Sequence, residues 1–255
     1  GAGTTGGNDA NTKLLLHMDG SGNSFTDSSD TPHTVTAIAD TTQTSTPASP
    51  LSDGANIASF DDNGDYLSIP DSDDWDFGTG DFTIDFWAYT LIYDPKQNFI
   101  GHGNTSSNEA MNIRILTSGA INSRFGYNGG AAEVQWSSAA GIIPLGEWFH
   151  IAVVRNGDSF STYLDGTLVA STTSGVSLPS YDSSLLVGAY QGGNNAGASQ
   201  FVNGSMDEVR ISKGIARWTS DFTPPTKSYG SSSSNEGLYF KDENGTVTPI
   251  IEILP

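Results

Sequence analysis

The sequence predicts an all-β fold: two antiparallel sheets packed as a sandwich, with a short C-terminal β appendage. Three observations carry this. No segment holds a helical period, whereas apolar and polar residues alternate with period two in run after run. Glycine fills 30 positions, and turn dipeptides such as Asp19-Gly20, Asp165-Gly166 and Asn244-Gly245 separate the runs. Of 29 acidic residues 7 are Glu, which leaves 22 Asp, a residue of turns and caps rather than of helices.

The elements follow in order. Lys13–Met18 is a strand ending at Asp19-Gly20. Asn56–Phe60 and Tyr66–Pro70 flank a turn at residues 61–65. Asp81–Thr90 sets Phe82, Ile84, Phe86 and Ala88 on one face and Thr83, Asp85, Trp87 and Tyr89 on the other. Met111–Leu116, Asn122–Tyr127 and Glu133–Ser137 come next. Trp148–Asn156, Ser159–Asp165 and Thr167–Ser171 are joined by Asn156-Gly157-Asp158 and Asp165-Gly166, both hairpin chemistry. Ser184–Ala189 and Phe201–Ser212 close the set. Consecutive prolines in Thr219–Thr226 stop a strand, and Ser231–Ser234 reads as a linker. The expected organisation is a flexible lead-in over residues 1–10, one β domain over 11–229, and an appendage over 230–255. The appendage is either hairpin-like or the start of a further module.

Charge narrows the partners. Lys and Arg total 10, the net charge is -19 and the pI is near 4.1. Nucleic acid, which needs a basic patch, is excluded as a partner, and anionic membrane surfaces are disfavoured. With no cysteine, thiolate metal sites, disulfides and cysteine nucleophiles are absent. No apolar run nears the ~20 residues that span a bilayer, so membrane insertion is not expected. Aromatics at 10% supply a core that a disordered acidic chain would lack.

Three stretches carry a family resemblance: GDYLSIPDSDDWDFGTGDFTIDFW at 64–87, GEWFHIAVVRNGDSFSTYLDGTLVA at 146–170, and NGSMDEVRISKGIARWTSDFTPPT at 203–226. The opening LLLHMDGSGNSFTDSS fits the same group. Together they resemble the laminin-G-like jelly-roll domains of the concanavalin A-like lectin/glucanase superfamily. The version meant is the one found in bacteriophage structural proteins and marine bacterial proteins. The resemblance covers about residues 11–226. It implies a jelly roll with one sheet forming a concave groove. It also implies pairing of the first and last strands, which brings His17-Met18-Asp19 near Ser205-Met206-Asp207.

The resemblance further implies a structural Ca²⁺, an ion that takes six to eight oxygen ligands. Glycosidases of the superfamily hold it with an Asp that opens the last strand, and Asp207 matches that position. Asp19 and Asp27 are expected at the same end, and Asp62 or Gly64 could complete the shell. The alternative is that these Asp residues only bond backbone groups in turns.

Catalysis is not expected. The superfamily's retaining hydrolases carry Glu-x-Asp-x-x-Glu on one strand, and no two of the seven Glu here fall in that spacing. There is no Gly-x-Ser-x-Gly elbow and no His-Glu-x-x-His. The function expected is non-catalytic carbohydrate binding or adhesion, stabilised by Ca²⁺, on a virion or a secreted bacterial protein. The partner would be a glycan or polysaccharide on a host surface. The alternative is a purely structural virion domain binding another subunit, with the appendage as a route to homo-oligomers. Sugar sites need an aromatic platform and fixed polar groups. Alternation and loop composition nominate Trp87, Tyr89, Arg114 and Arg124 as sharing one groove, with Tyr127, Trp136, Tyr190 and Asn194 from the loops.

Overall fold

The computed structural model describes residues 7–103, 109–128, 133–191, 197–230, 239–241 and 247–249. The first strands are β1 (Thr12–Leu16), β2 (Thr36–Ile38), β3 (Thr42–Thr44), β4 (Ile57–Asp61) and β5 (Tyr66–Ile69). A 3-10 turn at Asp73–Trp75 precedes β6 (Phe82–Thr90), β7 (Gln97–Gly103), β8 (Glu109–Ile115), β9 (Ile121–Asn128) and β10 (Val134–Ser137). Then come β11 (Trp148–Asn156), β12 (Ser159–Leu164), β13 (Thr167–Thr173) and β14 (Leu185–Val187). The short β15 (Tyr190–Gln191) and β16 (Ala198–Ser199) precede the long β17 (Asn203–Lys213). In a separate two-stranded sheet β18 (Tyr239–Lys241) pairs antiparallel with β19 (Val247–Pro249). No helix among the described residues is long and apolar enough to cross a membrane.

Two antiparallel sheets form the sandwich. One runs β13-β12-β11-β6-β17-β4-β3, with β1 also on β17; the other runs β10-β9-β8-β7-β14-β5-β2. As expected, the first strand pairs with the last long one: Leu16 lies opposite Val209. β17 spends its first half against β4 and its second half against β1. The change falls at a bulge between Asp207 and Arg210, where Glu208 takes a positive φ of 50°.

β7 falls between Asp81–Thr90 and Met111–Leu116, where the sequence predicts no strand. All seven of its residues are buried, and a strand covered on both faces has no reason to alternate.

The inward faces interdigitate around Trp75, Phe82, Phe86, Phe99, Phe125 and Phe149, all fully buried. Phe77 and Phe82 stack with ring centroids 4.3 Å apart. A second apolar cluster sits on the outer face of the larger sheet, built from Ala152, Val154, Tyr163 and Trp218. Its cover is the segment 214–229 that follows β17. Trp218 and Phe222 stack there at 4.1 Å, and Phe222 N–H donates to Gly166 O. The proline-containing stretch therefore ends the strand series but continues to pack.

Candidate functional site

The outer face of the larger sheet divides into a covered part and an open part. In the covered part Asp85 and Arg210 face each other across β6 and β17. Arg210 Nε donates to Asp85 Oδ1 at 2.9 Å, and Tyr229 Oη donates to Asp85 Oδ2 at 2.6 Å. Burial alone would raise the Asp85 carboxyl. The Arg210 charge outweighs it and holds the group below its ordinary range. Burial and the Asp85 charge push Tyr229 well above the usual phenol value. Trp87, on the same face, packs edge-on to His150 at 5.3 Å.

The open part is a cross-strand row. Thr42, Ser59, Ser205, Tyr89 and Trp148 lie opposite one another in sequence across β3, β4, β17, β6 and β11. Each is an outward position of its strand. The Tyr89 and Trp148 rings pack at 5.6 Å, tilted by 59°. Trp148 Nε1 donates to Ala48 O at 2.8 Å, which draws the 46–49 segment over the row as a wall. Gly204 makes the row possible, because a Cβ there would meet Tyr89 O at 1.9 Å. A trough of about 330 Å³ results, walled by Tyr89, Leu91 and Pro47 and floored by Ser59 and Ser205. Leu91 is 54% exposed, an apolar side chain presented to solvent. Among the described residues, the side chains of Ser59, Ser205 and Asn203 have no hydrogen-bond partner, and all three line the trough.

Asp61 closes the trough at one end. Its carboxylate gathers with those of Asp40 and Asp65, one oxygen of each within 4.8 Å of the others. Asp65 accepts the Asp40 N–H at 3.1 Å and the Asp61 N–H at 3.2 Å. Burial first, and then the Asp61 and Asp40 charges, push Asp65 up to about 6. Burial and Asp61 also raise Asp62.

The five residues nominated for Ca²⁺ are not brought together. Asp61 pairs with Asn203, and Asp207 lies four residues further along β17, about 13 Å at strand rise. Asp62 and Gly64 therefore stand apart from Asp207. Asp207 is fully buried; it accepts Ser49 Oγ–H at 2.6 Å and Glu208 N–H at 2.9 Å. Burial pushes its carboxyl up to about 7, and the charges of Glu208 and Asp19 add to this, with the Ser49 bond opposing. Asp19 is exposed beside it. Asp27 is spent on the backbone, accepting from Leu15, Ser29 and His33 N–H groups. Oxygen donors suited to a hard cation do converge, but at Asp40, Asp61 and Asp65.

The expected single groove is also corrected. Trp87 and Tyr89 lie on the outer face of one sheet, and Arg114 and Arg124 lie on the outer face of the other. Alternation fixes the face of a strand but not the sheet that the strand joins. Arg114 bonds Asn122 at 2.9 Å and Arg124 bonds Asn112 at 2.7 Å, within a buried polar face. Tyr190 is half-buried beneath the Arg124 guanidinium. Trp136 is a core residue, stacked on Phe125 at 6.0 Å with Nε1 donating to Thr162. The Tyr127 side chain and Asn194 lie outside the described residues.

One arrangement has the outline of a nucleophile relay. His33 Nδ1 is 3.1 Å from Asp27, and its Nε2 is 3.4 Å from Ser72 Oγ. Two contacts make it structural. The Asp74 carboxylate sits 3.3 Å from the same Nε2, and Ser72 Oγ caps the 3-10 turn by accepting Asp74 N–H.

A family model described as the concanavalin A-like lectin/glucanases superfamily matches residues 61–217, more than half of the chain. The chain belongs to that superfamily. A search of curated proteins finds no match. Among solved structures, this superfamily member is similar to the binding domain of botulinum neurotoxin DC in complex with SialylT. The TM-score is 0.59 at 13% identity, over 81% of this chain and 49% of that one. The binding domain of botulinum neurotoxin serotype C1 gives 0.58 at 15% identity, over 81% and 50%. This chain thus spans about half the length of those two. Domain 4 of AbnA, an extracellular arabinanase from Geobacillus stearothermophilus solved with arabinotriose, gives 0.54 at 16% identity, over 80% and 93%. At such identities these likenesses establish the fold.

Proposed function

We propose that this chain is a non-catalytic carbohydrate-binding module, displayed on a secreted protein or a virion, with the Tyr89 trough as its binding site. The observation that carries the reading is the row Ser59–Ser205–Tyr89–Trp148. It presents hydroxyls and an aromatic edge side by side along one line of a rigid sheet. Sugar rings pack their C–H faces on aromatic side chains while fixed polar groups bond the hydroxyls. Sheet positions are held by the ladder, so little ordering is needed on binding. Solved likenesses recorded in complex with SialylT and with arabinotriose support carbohydrate binding on this fold. Hydrolysis would need two carboxylates flanking the bond, and the trough offers Asp61 alone. A glycan array tests this: wild type binds a defined subset of glycans and Tyr89→Ala binds none of them. Equal array patterns for the two proteins would place binding elsewhere or remove it.

Ca²⁺ is proposed at the Asp40–Asp61–Asp65 cluster instead of at Asp207. Bound there, the ion would neutralise repulsion among the three carboxylates and fix the turn at 61–65.

A further inference from the structure

We infer that the Tyr89 trough selects uncharged glycans and rejects carboxylated ones. This rests on the proposed carbohydrate-binding reading and specifies the ligand class of that site.

The charge in the lining of the trough has one sign. Asp61 is the single charged residue in its lining, and Asp40 and Asp65 stand directly behind it. No Lys, Arg or His lines it. The five arginines are committed elsewhere. Arg114 and Arg124 lie on the outer face of the opposite sheet. Arg210 and Arg217 pair with Asp85 and Asp9 at 2.9 Å. Arg155 is held at the far end of β11 by the Gly78 and Val176 carbonyls. A carboxylate on a sugar seated against Tyr89 would meet Asp61 with no countercharge and would shed its own hydration. A divalent ion among three carboxylates leaves the net charge of that corner negative, and binding measured with and without Ca²⁺ reads its effect on the preference.

What the trough offers instead suits hydroxyls. Ser59 and Ser205 can donate or accept, the Asn203 amide can do both, and Asp61 accepts strongly from sugar O–H groups. Tyr89 and Leu91 supply the apolar wall.

Titration calorimetry on matched pairs tests the inference: lactose against 3′-sialyllactose, and tetragalactose against tetragalacturonate. The wild-type chain is measured in EDTA and in Ca²⁺, alongside Tyr89→Ala and Asp61→Asn. The expected result is an uncharged partner bound about tenfold or more tightly than its carboxylated twin, a gap of about 1.4 kcal/mol per tenfold. That binding is lost in Tyr89→Ala. The gap narrows in Asp61→Asn and in high salt. A carboxylated glycan bound as well as its neutral twin, with binding lost in Tyr89→Ala, would overturn the inference and leave the carbohydrate reading standing. Neutral binding that survives Tyr89→Ala would overturn the trough as the site. No binding by the wild-type chain on a full array would overturn both.

Discussion

Arg210 sits over the ring of Tyr229, its guanidinium carbon 3.5 Å from the ring centroid, while both side chains bond Asp85. This three-residue contact clips the segment after β17 onto the sheet. It is wholly buried, so removing one partner strands a charge. Asp85→Ala is expected to cost about 3–5 kcal/mol, since the buried Arg210 guanidinium then loses its carboxylate counter-charge. Tyr229→Phe removes one hydrogen bond to a charged group and should cost about 1.5–3 kcal/mol. Urea denaturation of both variants checks the ranking; equal midpoints for all three proteins would refute it.

Stability should peak in mildly acidic solution. Asp207 is pushed up to about 7 and Asp65 to about 6 in the folded chain, against ~3.9 unfolded. Groups raised on folding stabilise fully below the unfolded pKa, and that contribution is lost as pH rises through the folded value. His17, raised by its bond to Glu208, acts in the same direction near and above its ordinary value. Asp85 is lowered, so its contribution is lost as pH falls through acid values. The melting temperature should therefore be highest near about pH 5 and fall towards about pH 8. Asp207→Asn should flatten that fall. A melting temperature that climbs from about pH 5 to 8 would contradict the assignment.

Much of this was legible in the sequence, and the failures have a common cause. The strand Asp81–Thr90 shows its two faces by alternation, and the structure places Phe82, Ile84 and Phe86 in the core. Alternation carries no information on sheet membership. That is why Tyr89 and Arg114, read as neighbours, point from opposite sides of the sandwich. Trp136 was read as a loop aromatic, yet the buried-exposed pattern of β10 turns it inward with Val134. Ser59, Ser205 and Asn203 gave no signal, because small polar residues in strands look alike wherever they fall. Only the register of β4, β17 and β6 aligns them. The carboxylate cluster was missed for the same reason: Asp40 reaches Asp65 through a turn whose partner cannot be read locally.

Ca²⁺ should stabilise the chain through the 40–65 cluster. At free Ca²⁺ about 100 times the dissociation constant the gain is about 2.7 kcal/mol, a rise of several degrees in melting temperature at neutral pH. Asp65→Asn should abolish the Ca²⁺ response and also raise the melting temperature in EDTA, by relieving like-charge repulsion. Asp207→Asn should leave the Ca²⁺ response intact. Midpoints identical in EDTA and Ca²⁺ would remove the ion from the account.

In the proposed function, carbohydrate docks on the Ser59–Ser205–Tyr89 row. The most direct measurement is NMR chemical-shift mapping of the full chain titrated with an array-positive uncharged oligosaccharide. Saturable shifts are expected at the amides of Ser59, Ser205, Leu91 and Asn203, and at the Trp148 indole, with Arg114 and Arg124 unmoved. Shifts confined to the Arg114–Arg124 face, with the row unmoved, would contradict it.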